Sequence, residues 1–174
     1  PGSWSQASLN DTRSGAINTD GELFLWGANY GGWLGQNNIT QYSSPVQVPG
    51  TWSYYEQAGE GAAGRKTDGT LLAWGNNSHG QLGQNQANSQ LDRTSSPVQI
   101  GSDTNWDRIS MSGNVSMATK TDGTLWAWGN NVNGTLGQNT QGDSRSSPVQ
   151  VPGTSWLTVG HAGQGYQMMA TKNV

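Results

Sequence analysis

Cysteine is absent from the 174 residues, which excludes a disulfide framework and any thiolate metal site. Charge is scarce too. Charged residues make up 11% of the chain and the net charge is −3; the eight basic residues are scattered, Arg65-Lys66 being the closest pair. A phosphate-backbone partner calls for clustered Lys and Arg, so no nucleic-acid interface is expected. No apolar run approaches the ~18 residues of a membrane-spanning helix, and no signal-type segment opens the chain; membrane insertion is not expected. The two histidines, His79 and His161, are too few for a metal site or a triad. Neither Gly-x-Ser-x-Gly nor a glycine-rich phosphate loop ending in Lys-Ser/Thr occurs. The reading is therefore no enzyme, no cofactor and no metal.

Hydrophobic residues reach only 32%, yet there are nine tryptophans and 26 glycines. Disordered chains are highly charged and poor in aromatics, so disorder does not explain the shortfall. The polar mass is Gly, Asn, Gln, Ser and Thr, the chemistry of turns and short strands. The chain reads as all-β.

Self-similarity gives the organisation. Trp4, Trp52 and Trp106 each precede a second tryptophan, Trp26, Trp74 and Trp128, by 22 residues. Gly27, Gly75 and Gly129 follow those second tryptophans. Leu-Gly-Gln-Asn then begins at Leu34, Leu82 and Leu136, and Ser-Ser-Pro-Val-Gln at Ser43, Ser95 and Ser146. Trp156 opens a fourth copy. The units run 1–50, 51–101, 102–153 and 154–174, about three and a half repeats of one propeller-type unit that must stack on its neighbours to bury its faces. Asp-Gly at 20–21, 68–69 and 122–123 predicts tight primed hairpin turns, and the segments 22–26, 70–74 and 124–128 predict strands buried on both faces. Pro45, Pro97 and Pro148 are placed at strand entries, where a missing N–H does least harm. The sequence opens at a repeat junction and stops inside a unit, as expected of a segment of a longer array or of one part of an oligomeric ring. Two copies of three and a half units would match a ring of roughly seven.

The Trp-Gly-x6-Leu-Gly core, with its upstream Asp-Gly turn and downstream Pro-Val, resembles the repeats of the regulator of chromosome condensation family over nearly the whole chain. The resemblance implies a β-propeller of four-stranded blades, seven in well-known members. Kelch repeats share the period but lead with a Gly-Gly pair, found here only at Gly31-Gly32. The His-Ser segment of better-known members is replaced by Arg13-Ser14, Gly61-Ala62 and Val115-Ser116. The basic loops of the nuclear exchange factor and the Gly-Trp-Arg run of the plant photoreceptor are missing as well. The Asn/Gln/Gly-rich style is similar to arrays in bacterial surface proteins and in structural proteins of bacterial viruses.

Seven tryptophans recur in register: Trp4, Trp26, Trp52, Trp74, Trp106, Trp128 and Trp156. They read as inter-blade core together with Gly27, Gly75 and Gly129, and Trp126, in register with Phe24 and Leu72, joins them. Trp33 differs. It falls in register with Gln81 and Thr135, and Tyr30 with Ser78 and Val132, so this aromatic pair is either a contact surface or local packing under a loop. Asp20, Asp68 and Asp122 read as turn residues. The insert before Ser-Ser-Pro varies from five residues (38–42) to nine (86–94) to six (140–145), while the Trp-to-Trp and Trp-to-Leu spacings do not change. Variable inserts in repeat arrays map to loops on one face, often the binding face. These carry Tyr42, Asp92, Arg93, Asp143 and Arg145, which are either contact residues or solvated spacers. The expected function is a structural or binding module, on an extracellular or virion surface, contacting a protein partner or further copies of the chain. A carbohydrate-binding propeller and an intracellular exchange-factor-like adaptor are the alternatives.

Overall fold

The computed structural model describes residues 2–86, 92–161 and 168–172. Its strands form three four-stranded antiparallel sheets and a two-stranded one. Blade 1 holds β1 (Trp4–Leu9), β2 (Arg13–Asn18), β3 (Leu23–Gly27) and β4 (Tyr42–Val48). Blade 2 holds β5 (Trp52–Ala58), β6 (Gly61–Lys66), β7 (Leu71–Asn76) and β8 (Arg93–Gln99). Blade 3 holds β9 (Trp106–Ser112), β10 (Val115–Lys120), β11 (Leu125–Gly129) and β12 (Arg145–Val151). The fourth sheet pairs β13 (Trp156–His161) with β14 (Met168–Lys172). These two correspond to the first two strands of a blade.

The core lies between blades. Side chains alternate along a strand, so in β7 Leu72 and Trp74 turn toward blade 1, joining Ile17, Leu25, Leu34 and Val48. Leu71 and Ala73 turn the other way, toward Trp106, Ile109 and Trp128 of blade 3. That is the physical meaning of a strand that is apolar on both faces. The tryptophan opening each blade packs on the blade before it: Trp52 on blade 1, Trp106 on blade 2, Trp156 on blade 3. Trp4 therefore departs from the core role expected of it. It is 53% exposed, resting edge-on against Phe24, and Trp26 is only half-buried, because no described blade precedes the first.

Two repeated motifs prove to be one joint. Asn37 and Asn85, the last residues of Leu-Gly-Gln-Asn, adopt positive φ (57° and 53°), which asparagine tolerates better than most residues. Their N–H groups donate to Ser95 O and Ser146 O of the following blade. Ser96 and Ser147 return hydroxyl bonds to the same asparagines. The prolines, expected at strand entries, instead sit inside β4, β8 and β12, which begin at Tyr42, Arg93 and Arg145. Register shifts opposite Trp26, Trp74 and Trp128 put each Ser-Ser-Pro in a bulge on an edge strand, where a missing N–H interrupts no ladder.

The Asp-Gly turns also differ from expectation. Lys66 N–H donates to Thr70 O, and Gly69 N–H to Lys66 O, closing a three-residue loop in which only the glycine has positive φ. This is the bulged hairpin rather than the two-residue primed turn. Freed from a left-handed conformation, Asp68 accepts from Thr70 N–H and Oγ1, and Asp122 likewise from Thr124. These bonds hold both carboxyls below the usual carboxylate range, the backbone bond leading at Asp68 and the hydroxyl bond at Asp122. Because the folded chain binds these protons less tightly than the unfolded one, the turns stabilise fully above about pH 4 and lose that contribution as pH falls through the lower folded values. Urea midpoints measured from about pH 5 to about pH 2 should therefore decline less steeply in the D68N/D122N double variant than in the parent.

The three lysines follow a rule that the sequence pattern did not reveal. Each stands across the hairpin from its blade-opening tryptophan, in the registers Trp52↔Lys66, Trp106↔Lys120 and Trp156↔Lys172. Each ammonium lies over that indole, at 5.8, 4.6 and 5.7 Å. Lys120 also bonds Asp103 at 2.6 Å. Trp4 pairs with Asn18 and has no such partner cation in register.

Candidate binding cleft at the loop-bearing end

Antiparallel strands place the β1–β2, β5–β6 and β9–β10 turns at the same end of the blades as the long β3–β4, β7–β8 and β11–β12 loops. A buried asparagine three residues after the second tryptophan shapes each loop. Asn29, Asn77 and Asn131 accept from Leu34, Leu82 and Leu136 N–H at 2.9, 2.9 and 3.2 Å. Asn29 Nδ2 donates across the loop to Thr40 O, and Asn131 Nδ2 to Thr140 O. Their presence in all three copies was a readable signal that the spacing analysis passed over.

Between blades 1 and 2 this end opens into a cleft of about 430 Å³. One wall is Tyr30, 63% exposed, and half-buried Trp33, whose rings meet edge-to-face at 6.0 Å and 85°. The other wall is Glu60, Asn76, Ser78, Asp92 and Arg93 of blade 2. Four of the seven candidate contact residues, Tyr30, Trp33, Asp92 and Arg93, thus meet in one place. Tyr42 does not join them: it accepts from Asn38 Nδ2 and packs at the rim of the inter-blade core. Asp143 and Arg145 lie on blade 3, exposed and apart from the cleft.

Trp33 serves as packing and as lining at once. Its carbonyl accepts from the buried Trp74 indole at 2.8 Å, and its ring carries the Arg13 guanidinium at 4.6 Å. Arg13, only 2% exposed, also donates to Gly59 O in the β5–β6 turn. Burial pulls this guanidinium below its ordinary range, with Tyr55 and Glu60 opposing that shift. Among the described residues its Nε and Nη1 have no hydrogen-bond partner. Glu60 is held by Asn76 Nδ2 at 2.6 Å, and Asn76 Oδ1 accepts from Ser78 N–H at 2.7 Å. Glu60, Asn76 and Arg13 escaped sequence reasoning because each arrives from a different strand or turn. Arg13 did carry a signal, standing in register with Gly61 and Val115 as Trp33 stands with Gln81 and Thr135.

The equivalent place between blades 2 and 3 is a cleft of about 360 Å³ lined by His79, Asn114, Asn130, Val132 and Thr135, with no indole or phenol and no carboxylate. His79 Nδ1 stands 2.9 Å from Ser78 Oγ. Among the described residues no carboxylate bonds the other ring nitrogen, so the pair lacks the third group that orients a catalytic base. Nor do three or more His, Asp or Glu side chains cluster among the described residues. His161, whose side chain lies outside the described part, adds nothing to either comparison.

The repeat geometry is shared with known propellers. Human WBSCR16 superposes with a TM-score of 0.77 at 21% identity, covering 92% of this chain and 43% of that one. Saccharomyces cerevisiae Prp20p, whose structure was described with its binding properties to Gsp1p and histones, superposes at 0.81 with 15% identity, covering 98% and 44%. Prp20 bound to Kap60 gives 0.80 at 16% identity, covering 98% and 43%. The chain thus spans about two fifths of the length of these structures, and at such identities the likeness establishes fold. No curated protein matches the sequence at a significant level. The family model described as the regulator of chromosome condensation (RCC1) repeat matches residues 68–119 and 122–168, more than half of the sequence. With the blade architecture and the repeated Trp-Gly and Leu-Gly joints, that match establishes that the chain belongs to the RCC1 repeat family.

Proposed function

We propose that this chain is a binding module on an exterior surface, part of a virion fibre or appendage or of a cell envelope, contacting its partner through the loop-bearing end of the blades. RCC1-type propeller repeats are non-catalytic binding modules at the coarse level. The observation that carries the finer reading is the convergence of Tyr30, Trp33, Asp92 and Arg93 on one cleft, while the equivalent cleft one blade on lacks their chemistry. Electrostatics support it. All three lysines lie over tryptophans, Arg13 is buried, Arg65 pairs with Asp107 and Arg108 covers Tyr54. Among the described cations that leaves Arg93 and Arg145, too few for a phosphate backbone.

The test is binding of the immobilised chain to a panel of intact bacterial cells. Wild type should bind at least one surface, hold it as salt rises to about 0.5 M, where exposed ion pairs are screened, and lose it in the Y30A/D92A/R93A triple variant. Tight binding to duplex DNA or to a small GTPase at physiological salt, unchanged in that variant, would overturn the proposal. The second outcome would favour an intracellular adaptor, a reading supported only by the shared fold with Prp20p.

A further inference from the structure

Resting on the binding-module reading, we infer that the cleft between blades 1 and 2 is a site for a neutral pyranose sugar. A pyranose presents an apolar C–H face and a rim of hydroxyls that both donate and accept. The cleft offers the complement: an aromatic wall, Tyr30 with Trp33, facing two carboxylates, an amide, a hydroxyl and a guanidinium, on Glu60, Asp92, Asn76, Ser78 and Arg93. Carboxylates accept from pairs of hydroxyls, while amide and guanidinium N–H groups donate to ring and hydroxyl oxygens. The cleft volume lies in the range of small-ligand sites.

Charge narrows the class. Two carboxylates against one arginine on the cleft wall disfavour phosphorylated or acidic sugars, which would meet Glu60 and Asp92 directly. Arg13 does not reverse this, since it lies behind Trp33 with its charge over the indole and its Nη2 on Gly59 O.

The site is also held ready. Trp33 is fixed by Arg13 on its ring, by Trp74 on its carbonyl, and by Gly75, where a Cβ would stand 3.2 Å from Cδ1. Glu60 is fixed by Asn76. Side chains already ordered lose little entropy on binding, which matters for a ligand whose gain per contact is small. The fold does not demand this equipment, because at the cleft between blades 2 and 3 the positions of Tyr30 and Trp33 are held by Ser78 and Gln81. Only the first of the two clefts has acquired an aromatic wall and carboxylates.

Titration of the whole chain with methyl glycosides of glucose, galactose, mannose and N-acetylglucosamine, followed by saturation-transfer NMR, tests the inference. At least one should saturate, one site per chain, with a Kd on the order of 1 mM. Y30A and D92N, both at exposed side chains, should each weaken that binding about tenfold or more, whereas V132A in the second cleft should leave it unchanged. Absence of saturation by all four glycosides at tens of millimolar, or binding indifferent to both Y30A and D92N, would overturn the sugar assignment. Binding to a cell surface that Y30A abolishes but free glycosides do not compete would also overturn it, while leaving the binding-module reading standing.

Discussion

Replacing Trp74 by alanine should destabilise the chain by about 3–5 kcal/mol, and the same change at Trp26 by only about 1–2 kcal/mol. The two residues hold one place in the repeat, each 22 residues after a blade-opening tryptophan, yet their surroundings differ. Trp74 is wholly buried, stacked on Tyr55 at 6.0 Å and edge-on to Trp52 at 5.8 Å. Its indole N–H also holds Trp33 O, so truncation leaves a cavity and an unsatisfied carbonyl together. Trp26 is half-buried and has no described blade against its outer face. Urea midpoints for W74A, W128A and W26A would check this. W128A should track W74A, because Trp128 is equally buried and bonds Gln81 O at 2.8 Å. Equal losses at Trp26 and Trp74 would mean that inter-blade burial is not what sets the cost.

The second large effect is expected at Gly75. Its φ of 104° lies where side-chain-bearing residues are strained, and a Cβ there would stand 2.5 Å from Glu60 O and 2.8 Å from Gly61 Cα. Strain alone is of order 1–3 kcal/mol, and the contact with the main chain of Glu60 and Gly61 cannot be relieved by a rotamer change. G75A should therefore cost at least about 3 kcal/mol. Gly101 is the natural control, with φ of 62° and open space around its Cβ position; G101A should cost about 1 kcal/mol, the left-handed penalty without a clash. G75A has a local consequence as well. Asn76 N–H donates to that same Glu60 carbonyl, so its amide should exchange with solvent faster in G75A than global destabilisation explains.

Much of the architecture was legible because it depends on residues that recur. Tryptophan spacing, Trp-Gly glycines and both-face apolar strands each express one requirement, that a blade be covered on two sides. Where expectation failed, the cause was a choice the pattern leaves open. Asp-Gly suits a primed turn and a bulged three-residue loop alike, and the residue count between paired strands, not the dipeptide, decides. Proline fits a strand entry or an edge-strand bulge, and only the ladder opposite Trp74 tells which. Trp4 matches its sisters in sequence but not in environment, since burial depends on a neighbour that no single repeat encodes. The cleft was half legible. Tyr30 and Trp33 stood out against the residues in register with them, and so did Arg13, yet that Arg13 covers Trp33 follows only from how β2 is set against the loop after β3. Glu60 and Asn76 are ordinary in sequence and acquire meaning from the facing blade.

The indole-to-carbonyl bonds impart a direction to the array. Trp74 grips the loop of blade 1 and Trp128 the loop of blade 2, so each of these indole bonds runs from a blade to the loop of the one before it. Thr135 O, the matching carbonyl of blade 3, has no such indole among the described residues, because β13 and β14 contribute only the first tryptophan of their unit. These bonds thus point backward along the chain while synthesis runs forward. A cleft of this kind is finished only when the following blade has folded, which makes ligand capture by blade 1 a readout of whether blade 2 is complete.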